Sequence, residues 1–577
     1  MTAVHRLAPA EYAALSTRAT ALDRQASALS RHLLQIRALL DHVRKHHPEA
    51  GQAADLAGSF RALAALQHLA AEQVGASLRA FEVGVWSAWC LRRIVGGLRD
   101  DVPLAVDLAH LGAVAAATAI AAGTDAEVRV PVRDGWLALP RLGRLRVAAT
   151  GTWGTAALRC ESDSLTVAGD GFTAHSPIAA RTPQGDAWQP LRTITAGSHT
   201  PWKLVLDDVS PYRRVFGYEP CDRLRADEVA HWQEMIDQAW RQLSEQHPAW
   251  AVALRRSLTA LVPLASWDAA AGVSVSARDA LGVIALTAPS DARQLALTLV
   301  HELQHNHLNA LHNVAPLYRS SPGRRFYSPW RDDPRPLGGV LHGTVAFLGV
   351  ADYLRRERRL REQVAEVEFA IAVRQIGSGL RTLQGSADAL TAAGRKVVAS
   401  IADVLAELTG EPVNHRWLRL ADDLVAEHHL AWRVRNVRVP PRAVDDLVRQ
   451  WQAGESSNPT TGEPDWRDQP RALLPTVESR RRRLALRRPV PDGTDIATDL
   501  AFLDGRYRLA ARAYARRVDE DPNDLDAFTG LVISVERLAG HATRLSQTPE
   551  LLFAALHRTA DSHAMTTWLA ETEPDVD

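Results

Sequence analysis

His301 and His305 stand four residues apart in the run Leu299-Val-His-Glu-Leu-Gln-His-Asn306. On an α-helix both imidazoles then leave the same face and converge on one metal ion, with Glu302 beside them. From residue 298 to 306 the one charged side chain is Glu302, as expected of a helix buried around a metal. An HExxH pattern also arises by chance, with its histidines serving as packed core or surface groups. The elements around it are what give it weight.

Residues 291–300 have the apolar spacing of a helix, and Pro289-Ser290 ahead of them predicts an N-cap at Ser290. Two β-like runs, 273–276 and 282–287, come before it, the strand-then-helix order of a metallopeptidase-like framework. Two histidines need a third donor. A metzincin places glycine and histidine at the third and sixth positions after the second histidine, where this chain has Leu308 and Leu311, and His312 is out of register. A gluzincin takes a glutamate from a following helix, but no glutamate occurs between Glu302 and Glu357. His342 is the best remaining donor, because Gly338, Gly339, Gly343 and Ala346 leave room for its helix to approach the metal helix closely. His307, His312, His428 and His429 stay open as weaker candidates. His307 faces another side of its helix, and His428-His429 reads as a packed or surface pair.

The segment 318–336 holds five arginines together with Tyr327, Trp330 and several prolines. Restrained backbone and guanidinium groups suit carboxylate binding, and Arg331 and Arg335 lie nearest His342 in sequence. The plainer reading pairs these arginines with Asp332, Asp333 or water.

Lysine plus arginine balances aspartate plus glutamate at 67 each, so no global field points to nucleic acid or to an anionic membrane. Cys90, Cys160 and Cys221 lack paired spacing, which argues against a disulfide framework, a zinc ribbon or an iron–sulfur cluster and favours a reducing cytoplasm. No secretory signal is visible, and the most apolar tract, 111–123, is too short to span a membrane and predicts a buried helix. The predicted fold is α+β and mainly helical: a zincin-like metal helix with a β-rich segment and a tetratricopeptide-like helical tail. The 577 residues divide into a helical N-terminal region (1–125), a β-rich segment (126–215), an HExxH catalytic region (216–453), a linker (454–493) and the tail (494–577). Within these, helical spacing extends over 224–262, the arginine run from Arg480 reads as solvated linker, and 499–531 looks like one and a half tetratricopeptide repeats.

Three blocks together, His301-Glu-Leu-Gln-His, Tyr327-Ser-Pro-Trp-Arg-Asp-Asp-Pro-Arg-Pro and Leu341-His-Gly, resemble the HExxH-motif proteins of ribosomal-peptide modification clusters, which also occur fused to radical SAM peptide maturases. The similarity runs from about residue 205 to about residue 451. It implies an Fe(II)- and 2-oxoglutarate-dependent peptide β-hydroxylase, with His301, His305 and a third donor such as His342 on iron. Arg331 or Arg335 would then bind the distal carboxylate of 2-oxoglutarate, and Glu302 would orient a ligand or water. Some related fused domains carry glutamine where this chain has His342. The chain has no radical SAM cysteine triad, so a peptide maturase acting with it on the precursor peptide would be a separate protein. Two other readings stand beside this one: a zinc metallopeptidase with Glu302 as general base, and a non-catalytic peptide-binding scaffold with a structural metal.

Overall fold

The computed structural model describes residues 24–148, 151–197, 201–266, 272–320, 323–360, 363–455, 466, 479–490, 496–540, 546–559 and 561–571. The helical reading of 1–23 and most of the 454–493 linker lie outside these residues. The protein is mainly helical with a β-rich segment and divides into two compact units, Met1–Pro316 and Leu317–Asp577. The division falls inside the stretch expected to form one catalytic region.

The first unit opens with helices α1 (Arg24–His46), α2 (Pro48–Ala53), α3 (Leu56–Leu69), α4 (Ala71–Arg79), α5 (Phe81–Ile94), α6 (Leu104–Leu108) and α7 (His110–Ala122). As its alanine-rich sequence predicts, α7 is buried from His110 through Ile120. Strands β1 (Ala126–Arg133), β2 (Trp136–Leu139), β3 (Gly143–Arg146), β4 (Trp153–Cys160), β5 (Ser164–Gly169), β6 (Phe172–Ala179), β7 (Thr182–Pro183) and β8 (Trp188–Pro190) form an antiparallel sheet in the order β7-β6-β5-β4-β1-β2-β3-β8. Period-two alternation buries Ala156, Leu158 and Cys160 of β4 beside Leu165 and Val167 of β5. These side chains join α7 in one core.

A second sheet contains β9 (Arg192–Ala196), β10 (Trp202–Leu206), β11 (Ala260–Leu264), β12 (Ser274–Val275) and β13 (Val283–Thr287), ordered β12-β13-β11-β10-β9. Its centre, β10-β11-β13, is parallel, and both edges are antiparallel. Helices α8 (Ala226–Gln246) and α9 (Pro248–Ser257) make the crossover that parallel pairing of β10 and β11 requires. Helical spacing predicts a helix as far as residue 262, but α9 ends at Ser257 and Ala260–Leu264 is a strand. A short run buried on both faces carries no period by which helix and strand differ, and every residue of β11 is buried.

The second unit comprises α11 (Leu337–Leu360), α12 (Gln363–Gly385), α13 (Ala392–Thr409), α14 (His415–Asn436), α15 (Pro441–Ala453), α16 (Arg480–Ala485), α17 (Ala497–Leu503), α18 (Tyr507–Glu520), α19 (Leu525–Ala539), α20 (Pro549–Leu556) and α21 (Ser562–Glu571). The tail shares a core with α14 and α15, where Leu430, Val434, Val444 and Leu447 meet Phe502, Tyr514, Phe528 and Leu552. The arginine run expected to be solvated enters this core. Arg481 is 1% exposed, pairs with Glu427 and Asp499 and donates to Tyr514 Oη at 3.1 Å and Thr529 Oγ1 at 2.8 Å. A buried guanidinium is tolerated only with such a set of acceptors, which residue spacing does not reveal.

Two stretches, Leu104–Ala122 and Leu337–Leu360, are apolar and long enough to cross a membrane, yet 83% of the most apolar window in each is buried within the protein. Core helices behave in this way.

Candidate metal centre

The motif lies on helix α10 (Ala292–Val314). Its N-cap is Asp291 rather than Ser290: the Asp291 carboxylate accepts the Gln294 N–H at 2.6 Å, the first orphan donor of the helix. Leu295, Leu299 and Leu303 repeat every four residues and are buried, so one apolar stripe seats the helix and fixes which way the histidines project.

Asn306, one turn beyond Glu302, pins that seat. Its amide donates to Ser276 Oγ at 2.9 Å and to the Val283 carbonyl at 3.2 Å, and its oxygen accepts the Gly282 N–H at 2.8 Å. Gly282 has φ +80°, and a Cβ there would lie 2.9 Å from the Ser257 carbonyl oxygen. The β12–β13 connection therefore needs glycine at this point to bring the strand pair onto the helix.

His301 and His305 are half-buried, with Nε2 atoms 3.1 Å apart and rings inclined at 78°. Two nitrogen ligands about 2.1 Å from one ion, at angles near 90–109°, stand about 3.0–3.4 Å apart. The pair fits a shared metal, although the same separation suits an imidazole–imidazole hydrogen bond. Burial holds His301 below the ordinary histidine pKa, offset in part by Glu302, so the neutral ligand form is favoured.

Glu302 decides between the two fits. It is 2% exposed, its carboxylate accepts from Ser274 Oγ at 2.8 Å and Ser276 Oγ at 2.7 Å, and no cationic side chain among the described residues forms an ion pair with it. Neutral hydroxyls solvate a buried carboxylate but leave its charge uncompensated. Donor atoms of His301, Glu302 and His305 all lie within 4.8 Å of one another. A divalent cation on the two imidazoles would supply the missing counter-charge. The donor set thus fits a metal.

His342, Arg331, Arg335 and the pair His428-His429 belong to the second unit. His342 is half-buried on the second turn of α11. The glycines around it lie against the preceding loop: a Cβ at Gly338 would meet the Tyr318 ring at 2.4 Å, and one at Gly343 would meet Trp330 Nε1 at 2.0 Å. Aromatic rings of the chain's own loop fill the small-residue groove, a use of glycine that spacing cannot distinguish from helix–helix contact. Trp330 also stacks on Phe347 with ring centroids 4.8 Å apart. Gly343→Ala should therefore unseat Trp330 and cost about 1–3 kcal/mol, lowering the thermal midpoint and red-shifting tryptophan emission. An unchanged midpoint and spectrum would contradict this packing.

Arg331 Nε and Arg335 Nη1 both donate to Asp333, at 3.1 and 2.9 Å. Burial raises the Asp333 pKa, but the two guanidiniums outweigh it and hold the carboxyl below its ordinary value. Arg319 donates to the backbone carbonyl of Asp388, and Arg324 pairs with its carboxylate. The plainer reading, pairing with Asp332, Asp333 or water, describes Arg331 and Arg335, whereas Asp388 is not among the expected partners. Tyr327 Oη is 2.8 Å from His428 Nδ1, and its ring packs edge-on against His429. The two histidines form a packed pair that anchors the loop to α14. On α10, His307 is buried and His312 is half-buried, the latter pushed down to about 4 by burial and by Arg278 and Arg31.

Ser274, Ser276 and Asn306 are the site residues that motif reading misses. The serines flank Val275, so period-two geometry turns both hydroxyls to one face of the strand. Asn306 follows Glu302 by one helical turn and shares its face. No protein-family model and no curated protein matches the chain.

Proposed function

We propose that this protein is an Fe(II)- and 2-oxoglutarate-dependent oxygenase that hydroxylates the β-carbon of a residue in a ribosomally made precursor peptide. The observation that carries metal dependence is the imidazole pair, 3.1 Å apart, beside a buried carboxylate lacking a side-chain counter-cation. The choice of iron, co-substrate and peptide rests on the resemblance of the three sequence blocks. When bound, iron would supply the centre at which a 2-oxo acid is oxidatively decarboxylated by dioxygen and the substrate is hydroxylated.

The chain's own groups do the positioning. His301 and His305 bind as neutral imidazoles, and His342 is the candidate third donor on the resemblance alone. Glu302, held at both oxygens by serine hydroxyls, acts as a fixed acceptor and counter-charge rather than as a mobile base. Arg331 and Arg335 are the candidate partners of the 2-oxoglutarate distal carboxylate, which would compete with Asp333 for their N–H groups. Helix α10 over a mixed sheet with an antiparallel edge strand supports a zincin-like arrangement of the site. The α18–α19 pair, turning through Asp521-Pro-Asn-Asp, supports a tetratricopeptide-like tail that caps α14 and α15.

A zinc peptidase is the second reading, favoured by the closeness of the Glu302 carboxylate to the imidazole nitrogens. Adding 2-oxoglutarate anaerobically to the Fe(II)-loaded protein separates the two. The oxygenase should develop a visible charge-transfer absorption from bidentate binding of the keto acid. Failure of any saturable spectral change at full iron loading would count against the proposal.

A further inference from the structure

The first unit contains a cleft of about 1010 Å³ that shares no lining residue with the metal centre. Its walls come from α5, α7, the first strands of the large sheet and the segment between β10 and α8. An apolar recess of about 20 Å³, room for about one water molecule, is walled by Phe81, Val85, Leu139 and Phe216 and meets the cleft, with His110, Tyr212 and Arg213 belonging to both.

Two sets of groups in this cleft are open to a ligand: two half-buried guanidiniums without an ion pair and a buried imidazole without a hydrogen bond among the described residues. Arg144 lies over the Trp136 ring at 4.1 Å and hydrogen-bonds the neutral side chain of Gln189. Arg213 donates to the carbonyls of Ser210 and Cys221. Neither guanidinium forms an ion pair among the described residues, whereas Arg133 and Arg223 on the same walls are paired with Asp107 and Asp208. Burial and then the like charges of Arg213 and Arg223 pull Arg144 below its ordinary value, against a smaller opposing pull from Asp208 and Asp222. A carboxylate at this position would relieve that repulsion and form charge-assisted hydrogen bonds.

His110 is the second set. It is 1% exposed, and neither ring nitrogen has a hydrogen-bond partner. Its ring meets Tyr212 edge-on at 5.2 Å. Burial and the charge of Arg133 push it down to about 3, so it is neutral and presents one N–H donor and one bare acceptor nitrogen. A peptide group offers the matching carbonyl and N–H. A simple anion offers only acceptors. The cleft also carries Asp100, Asp101, Asp134 and Asp222, so it does not suit a polyanion.

We propose that this cleft binds a segment of the substrate peptide, with an acidic side chain on Arg144 and Arg213 and a backbone amide on His110. The peptide's identity as substrate rests on the function proposed above; the binding chemistry does not.

The test uses the full chain and a fluorescent acetyl-Gly-Leu-Glu-Leu-Glu-Gly-amide probe, with its glutamine analogue, inorganic phosphate and acetate as comparisons. The acidic peptide should bind at least about tenfold more tightly than the glutamine analogue, as expected for charge-assisted contacts. Arg144→Gln with Arg213→Gln should erase that difference. His110→Phe should weaken both peptides alike, and Trp136→Phe should remove most of the tryptophan quenching on binding. Circular dichroism and metal content report folding, and Arg144→Lys keeps the test informative if the double variant is unstable. Equal binding of the two peptides, or displacement of the probe by phosphate at similar concentration, would overturn the cleft assignment. Acidic-peptide binding without any metal-dependent oxidation would leave the cleft standing and remove the proposed reaction. Oxidation with the same KM in wild type and the double variant would do the reverse.

Discussion

Alanine at His301 or at His305 is expected to abolish stoichiometric metal binding and to lower turnover more than about 100-fold, beyond the 10–100-fold that altering an outer partner of a metal ligand typically costs. Each imidazole is half of a pair 3.1 Å apart, and one nitrogen cannot replace the chelate. The helix itself should survive, because Leu295, Leu299 and Leu303 seat it and Asn306 ties it to Ser276, just after β12, and to β13 without help from either histidine. The thermal midpoint of each variant should therefore match that of metal-free wild type. Metal analysis beside thermal unfolding checks this. Wild-type metal content in both variants would contradict the site.

Glu302→Gln gives the second large effect, and its size depends on what Glu302 does. As a water-activating base in a peptidase, its loss would remove nearly all turnover while the metal stays bound. As a carboxylate fixed between Ser274 and Ser276, its loss should weaken metal binding about 10–100-fold and leave turnover largely recoverable at saturating Fe(II). Ser274→Ala with Ser276→Ala should differ from it, destabilising the metal-free protein while keeping the negative charge that favours the metal: each lost hydroxyl strips a buried carboxylate of a hydrogen-bond donor worth about 1–3 kcal/mol. Destabilisation of the double variant should shrink when metal is added, because the ion then supplies the compensation the hydroxyls no longer give. A Glu302→Gln protein that keeps full iron affinity and loses all turnover would reject the fixed-acceptor role.

The motif was legible in sequence because a helix converts a four-residue spacing into a shared face, and α10 does place His301, Glu302 and His305 together. What holds it was less so. Ser274 opens a two-residue edge strand and Ser276 follows it directly; the strand is too short to carry a pattern, and the value of both serines comes only from the carboxylate opposite. The boundary at Pro316 was hidden for a similar reason: helices α10 and α11 have comparable texture, and which helices pack into one core depends on contacts distant in sequence. Gly338 and Gly343 do mark close approach, by the Tyr318 and Trp330 rings, a contact that sequence spacing does not distinguish from that of a helix backbone, since both require a missing Cβ. Arg481 is the reverse case. Its neighbours Arg480, Arg482 and Arg483 make it look like part of a solvated run, while Glu427 and Asp499, its partners, are 54 and 18 residues away.

The most direct test of the oxygenase account is mass spectrometry of a candidate precursor peptide incubated with the Fe(II)-loaded protein, 2-oxoglutarate and isotopically labelled dioxygen, with succinate measured in the same samples. The expected result is an intact peptide that gains one labelled oxygen on a β-carbon, with succinate formed in step and no gain when Fe(II), 2-oxoglutarate or dioxygen is omitted. Shortened peptide chains in a zinc-loaded sample without co-substrate, and no oxygen gain under any condition, would contradict it.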